Sequence, residues 1–147
     1  MAAAVIDANF GVALVCPLPY SSVCRRQMEN WLRQGERIAA PTLWDYEVAS
    51  ALRKQWAQNL LSKELALAGL EQVSRLPVLR LPPERSLILS ALLWAERLGQ
   101  IVAYDAQYLA LAEHMQAQFW TADRKLHNRC KEIGASFVQL LGEAAAI

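Results

Sequence analysis

Cysteine is scarce in this chain: Cys16, Cys24 and Cys130 are the only three in 147 residues. Their odd number excludes a closed disulfide framework, and the lack of any C-x-x-C pair argues against a zinc knuckle. A reducing, cytoplasmic setting is the simplest expectation. Long apolar runs are missing too, none approaching the roughly 18 uninterrupted residues of a spanning helix, so no membrane partner is expected. The opening MAAAVIDANF has no positive leader and is broken by Asp7 and Asn9, which makes it a poor signal peptide. Net charge is only +1, so no basic excess announces nucleic-acid binding by itself. That balance does not exclude it, because an acidic centre cancels a basic rim in the sum. Internal repeats, low-complexity tracts and linkers are absent from the sequence, which predicts a single domain over residues 1–147.

What is present is a chain rich in apolar residues, 54% of the total, enough for a proper core. Short β-type runs stand at about 2–7, 36–40, 77–80, 100–103, 118–121 and 136–140. Helical stretches lie between them at about 21–34, 43–58, 62–75, 83–98, 106–116 and 123–133. Pro41, Ser62 and Pro82-Pro83 mark helix starts, and Gly35, Gly99 and Gly134 mark helix ends. Strand followed by helix, repeated, predicts an α/β fold with a mainly parallel central sheet covered on both faces.

The distribution of acids is the next observation. The chain has four aspartates, and three of them, Asp7, Asp105 and Asp123, close strand-like runs: AAAVID, IVAYD and FWTAD. In open α/β sheets the chemistry collects beyond the carboxyl ends of the strands, so these remote residues are expected at one rim. Carboxylates gathered there repel one another, which raises their pKa values or demands a cation. Helix geometry adds a fourth. In PTLWDYEVASALRK, Asp45 and Glu47 lie roughly 160° apart around the axis. Glu47 shares the arc of Leu43, Trp44, Val48 and Ala51 and is directed to the core side. Asp45 points away, a first-turn acid favoured by the helix dipole. Hard oxygen ligands without cysteine point to Mg²⁺ or Mn²⁺ rather than zinc or copper. A carboxylate site holding such an ion suits phosphodiester hydrolysis.

Four segments, VIDAN at 5–9, PTLWDYEVASALRK at 41–54, YDAQYLALAE at 104–113 and TADRKL at 121–126, occur in an order and spacing that resembles the PIN-domain ribonucleases. The closer resemblance is to the VapC-like toxins of type II VapBC toxin–antitoxin systems. It implies a PIN-like fold, a three-layer α/β/α sandwich. By position it implies that Asp7, Glu47, Asp105 and Asp123 form an acidic quartet binding Mg²⁺ or Mn²⁺ for endonucleolytic cleavage of RNA. Asp7 and Asp105 would be the principal ligands, with in-line attack by a metal-activated water. Asn9 and Thr121 match the family's small polar residues that support the acids. The resemblance further implies a homodimer and a small VapB-like antitoxin that masks the site.

Plainer readings stand beside these. Asp105 and Asp123 can be helix N-caps without any metal role, a reading that suits Asp7 less well. Arg124 and Lys125 occupy a first helical turn where positive charge opposes the macrodipole, so they are either RNA-backbone contacts or ordinary surface charge. His127, in RKLHNR, reads as solvated, and His114 as a helix-end cation. Most of the five tryptophans read as core, while the resemblance turns Trp31 and Trp56 toward a partner. Rival phosphotransfer folds are disfavoured: a receiver needs paired acids at its first strand, a dehalogenase-like phosphatase needs D-x-D, and residues 7–9 read DAN. A catalytically silent PIN scaffold binding RNA or antitoxin is the remaining alternative.

Overall fold

The structure, a computed structural model, describes residues 3–141. Five strands, β1 (Ala3–Ile6), β2 (Arg37–Pro41), β3 (Leu79–Leu81), β4 (Gln118–Thr121) and β5 (Val138–Leu140), form one sheet in the order β3-β2-β1-β4-β5. Every pairing is parallel. Central β1 is an unbroken apolar run, AAVI, buried at all four positions, as a parallel strand covered on both faces requires. Burying Val5 and Ile6 contributes about 1.5–3 kcal/mol each.

Seven helices among the described residues link the strands: α1 (Ala8–Val15), α2 (Ser21–Arg33), α3 (Leu43–Ala57), α4 (Lys63–Ser74), α5 (Arg85–Leu98), α6 (Asp105–Met115) and α7 (Arg124–Glu132). Helix α6 lies against β1, β2 and β4, with α5 packed on it, while α1 packs on α2, α3 and α4. This is the α/β sandwich expected from strand–helix alternation. The chain runs outward from β1 through β2 to β3, then returns to lay β4 and β5 on the other side. The order therefore reverses between β1 and β4, and a crevice opens beyond the carboxyl ends of strands at such a point.

Two sequence expectations need correction. The run at 100–103 is not a strand. Gly99, at φ 71°, ends α5, and residues 100–104 form an irregular connection in which Ile101 is fully exposed. The run instead links α5 directly to α6 and pairs with no strand, although β3 and β5 each have an open outer edge among the described residues. Asp105 is thus the first residue of α6 rather than the end of a strand. Helix α1 was not foreseen, because ANFGVALV is apolar around most of its circumference and carries no amphipathic period. The other elements fall within two residues of their sequence positions, apart from Ala2, which lies outside the described residues.

Candidate active site

The reversal point between β1 and β4 holds a cavity of about 200 Å³. All four acids of the expected quartet line it, together with Asn9 and Thr121. Asp7 arrives at the end of β1, Thr121 and Asp123 at the end of β4, Glu47 from the second turn of α3, and Asp105 from the start of α6.

Asp7 is the most constrained. Its Oδ1 accepts the Phe10 N–H at 2.8 Å and so caps α1. Its Oδ2 accepts the Thr121 hydroxyl at 2.9 Å and the Ala122 N–H at 3.0 Å. An ionised carboxyl offers about four acceptor positions, so these bonds leave one for a further partner. The Asp7 carbonyl is fixed as well, accepting the indole N–H of fully buried Trp44 at 2.8 Å. Burial raises the Asp7 carboxyl above its usual range. The Phe10 and Ala122 amides and the Thr121 hydroxyl oppose that rise, and the Glu47 charge adds to it.

Glu47 is half-buried, and its Oε1 accepts the Tyr108 hydroxyl at 2.5 Å. Its pKa is also raised, by burial first and then by the Asp105 charge, against the lowering effect of Tyr108. Tyr108 itself is buried and stacked on Phe119 at 5.4 Å, and its hydroxyl is held far above the usual range by burial and by Glu47. Asp105 Oδ2 accepts Gln100 Nε2 at 2.9 Å, and Asp123 Oδ1 caps α7 by accepting the Leu126 N–H at 3.0 Å. Thr121 completes the rim, because its Oγ1 also accepts the Asp123 N–H at 3.0 Å. Capping therefore belongs to Asp7 and Asp123, while Asp105 caps nothing.

Among the described residues none of the four acids takes part in an ion pair. Nor do any three His, Cys, Asp or Glu side chains gather tightly enough there to ligate one ion directly. Uncompensated carboxylates, with those of Asp7 and Glu47 held above their usual range, suit a hard dication, and Mg²⁺ keeps several waters and needs only one or two direct carboxylates. The donor set therefore fits such an ion.

A wider groove of about 880 Å³ adjoins the cavity and shares Asp105 and Asp123 with it. Arg124, Lys125 and Arg129 line that groove. Arg129 is committed to the Leu98 carbonyl and Glu132, which leaves exposed Arg124 and Lys125 as cations without an ion-pair partner among the described residues.

Other placements complete the account. Asp45 is exposed and pairs with Arg80 at 3.4 Å, away from the site as expected. His127 is not solvated but buried, and its Nδ1 finds no partner among the described residues. Trp31 does not face a partner: it is buried between Phe10 at 5.5 Å and Trp120 at 5.6 Å. Trp56 is half-buried, with the Arg53 guanidinium 4.5 Å from its ring. All three cysteines are buried, and burial followed by the Asp7 charge pushes the Cys24 thiol up to about 12, so it does not act as a nucleophile near neutral pH. Sequence reasoning missed Tyr108, Gln100 and Trp44 as supports of the acids. Tyr108 stands one turn after Asp105 on the same helix face and was legible from that spacing; Gln100 carried no signal.

The PIN-domain family model matches residues 4–132. Ribonuclease VapC9 of Mycobacterium tuberculosis is 36% identical over 91 residues, covering 62% of this chain and 68% of that protein. Ribonuclease VapC12 of the same species is 30% identical over 126 residues, covering 83% of this chain and 88% of its own length. Among solved structures, VapBC2 from Rickettsia felis, bound to a promoter DNA fragment, superposes with a TM-score of 0.67 at 15% identity. That match covers 94% of this chain and 98% of the other, and it bears on the fold alone. The match across the sheet and its rim, joined to the VapC relatives, places the acid-lined crevice in a known context: this chain belongs to the PIN-domain family, among the VapC ribonucleases.

Proposed function

We propose that this protein is a Mg²⁺- or Mn²⁺-dependent endoribonuclease that hydrolyses RNA phosphodiester bonds as the toxin of a toxin–antitoxin module. The observation that carries the reading is the meeting of Asp7, Glu47, Asp105 and Asp123, remote in sequence, around one cavity, with no ion-pair partner for any of them among the described residues. Asp7 and Asp105 would be the principal holders of the ion. Glu47 and Asp123 complete its surroundings, in part through water. When bound, the dication supplies charge neutralisation at the scissile phosphate and acidifies water.

The chain's own groups do the rest. Thr121 and the Ala122 amide fix the rotamer of Asp7, and Tyr108 aims Glu47 into the cavity. Asn9 lines the same wall and offers a neutral hydrogen-bonding group to the substrate. Arg124 and Lys125 bind the RNA backbone along the adjoining groove, each as a charge rather than a base reader. The chain acts as one PIN domain, works in the cytoplasm as a homodimer, and is held silent by a VapB-like antitoxin covering the crevice.

Incubation of the purified protein with structured RNA tests the reading. Cleavage requires Mg²⁺ or Mn²⁺ and is lost in Asp7→Asn protein that retains its circular dichroism spectrum. Cleavage that persists in excess EDTA overturns the metal mechanism.

A further inference from the structure

The connection from α5 to α6 begins on a side chain that stability alone does not explain. Helix α5 ends in a Schellman cap: Gly99 donates its N–H to the Glu96 carbonyl at 3.0 Å, and Gln100 donates its own to the Ala95 carbonyl at 3.0 Å. The second bond sets Gln100 just past the cap, where an apolar side chain ordinarily packs back on the last turn. An amide stands there instead. Its Nε2 donates to Asp105 Oδ2 at 2.9 Å, whereas its Oε1 is buried and has no hydrogen-bond partner among the described residues. Turning the amide over gives no relief, because that sets Oε1 against the Asp105 carboxylate. A buried acceptor left unpaired costs about as much as a hydrogen bond to a carboxylate contributes, so the two ends of the amide nearly offset one another in the fold.

The cap is anchored from the other side of the site. Arg129 of α7 donates through Nε to the Leu98 carbonyl at 3.0 Å and through Nη2 to the Arg97 carbonyl at 3.4 Å. Helix α7 in turn starts on the capping carboxyl of Asp123. Asp105 and Asp123, the two acids shared by the cavity and the groove, are therefore joined by one continuous set of contacts through α7, Arg129, the end of α5 and Gln100. Among the described residues the Asp105 carboxyl makes no other hydrogen bond, so this amide alone fixes its orientation. We propose that Gln100 is a positioning residue for the metal: by holding one oxygen of Asp105 it leaves the other, Oδ1, free for the dication, and its own unpaired acceptor is stability given up for ion affinity. This role rests on the metal-binding reading proposed above and goes beyond it by assigning affinity to a residue that is not a ligand. Partners that orient a ligating carboxylate typically change metal affinity by about 10–100-fold.

Calorimetric titration of the metal-free full-length chain with Mn²⁺ alone, paired with urea unfolding of the same proteins, tests it. In Gln100→Met the donor and the unpaired acceptor leave together. The urea midpoint is expected to stay at the wild-type value or rise, while the Kd for Mn²⁺ weakens about tenfold. Gln100→Asn keeps an amide but shortens it by one methylene, so its donor no longer reaches Asp105. The same loss of affinity is expected there, and this variant carries the test should the methionine protein not fold. Wild-type affinity in either folded variant means that the bond only closes the connection between two helices, and it overturns the role. A weakened Kd together with a lower urea midpoint in Gln100→Met overturns it as well, because the amide then serves the scaffold. A wild-type chain that binds no Mn²⁺ removes the metal reading itself, and the role of Gln100 with it.

Discussion

Replacing Tyr108 with phenylalanine deletes one oxygen and leaves the ring stacked on Phe119, so the perturbation is confined to the bond with Glu47. A hydrogen bond to an ionised acceptor contributes about 1.5–3 kcal/mol. Glu47 is half-buried and water can replace part of the lost donation, which sets the expected destabilisation near the low end, about 1–2 kcal/mol at neutral pH. The sign of the pH effect follows from what acts on Glu47. Burial and the Asp105 charge raise its pKa and the Tyr108 hydroxyl lowers it, so removing that hydroxyl raises it further. The ionised form is the one that holds a cation, so the acid limb of the cleavage profile should move to higher pH. The stability difference between the two proteins should also narrow as Glu47 protonates, because a neutral carboxyl draws a weaker bond. Urea unfolding and initial rates on a fluorogenic RNA across the acid range read both effects. Equal stability, or an acid limb that stays put or moves down, refutes the role given to Tyr108.

Asp7 and Glu47 both have folded pKa values above their usual ones. Their contribution is therefore fully present below the unfolded pKa and is lost as pH rises through the folded values; the metal-free protein should melt higher in mild acid than in mild alkali. Mn²⁺ at about 100 times its Kd should add about 2.7 kcal/mol where the carboxyls are ionised and far less in acid, a contrast that differential scanning fluorimetry detects. Gly11→Ala drives a methyl into the ring of Trp44 at Cζ2. The displaced indole loosens its bond to the Asp7 carbonyl, and chemical denaturation should show a loss of about 1–3 kcal/mol. Thr121→Val removes the bond to Asp7 and the one from the Asp123 amide, about 2–4 kcal/mol in an unfolding titration, whereas Thr121→Ser keeps most of it.

Much of the architecture was legible because its signals are local. A central parallel strand announces itself as an unbroken apolar run, as AAVI does, whereas β2 and β4 carry shorter apolar cores, IAA and FW, beside exposed Arg37 and Gln118. The misread QIVA differs from AAVI in composition by one residue, and what sets the two apart is tertiary: QIVA bridges two helices that pack on each other, a fact no local pattern carries. The acids were legible as a set, even though capping alone accounts for the placement of Asp7 and Asp123. Their mutual approach was inferred correctly even though Asp105 reaches the rim from a helix start rather than a strand end. His127 misled because RKLHNR is polar around it, yet the residue falls on the same inward face as Leu126 and Cys130. The supports Gln100 and Trp44 act through single contacts across the fold, which leave no periodic trace.

The way Asp7 is held has an evolutionary consequence. That side chain starts a helix and ties two strand ends together, so its loss harms the scaffold as well as the chemistry. Glu47 is tethered by one hydroxyl and can become glutamine with little injury to the architecture. A lineage drifting from nuclease to inert binding protein would find its easiest first step on α3, and an amide at position 47 beside an intact aspartate at position 7 would be its fingerprint.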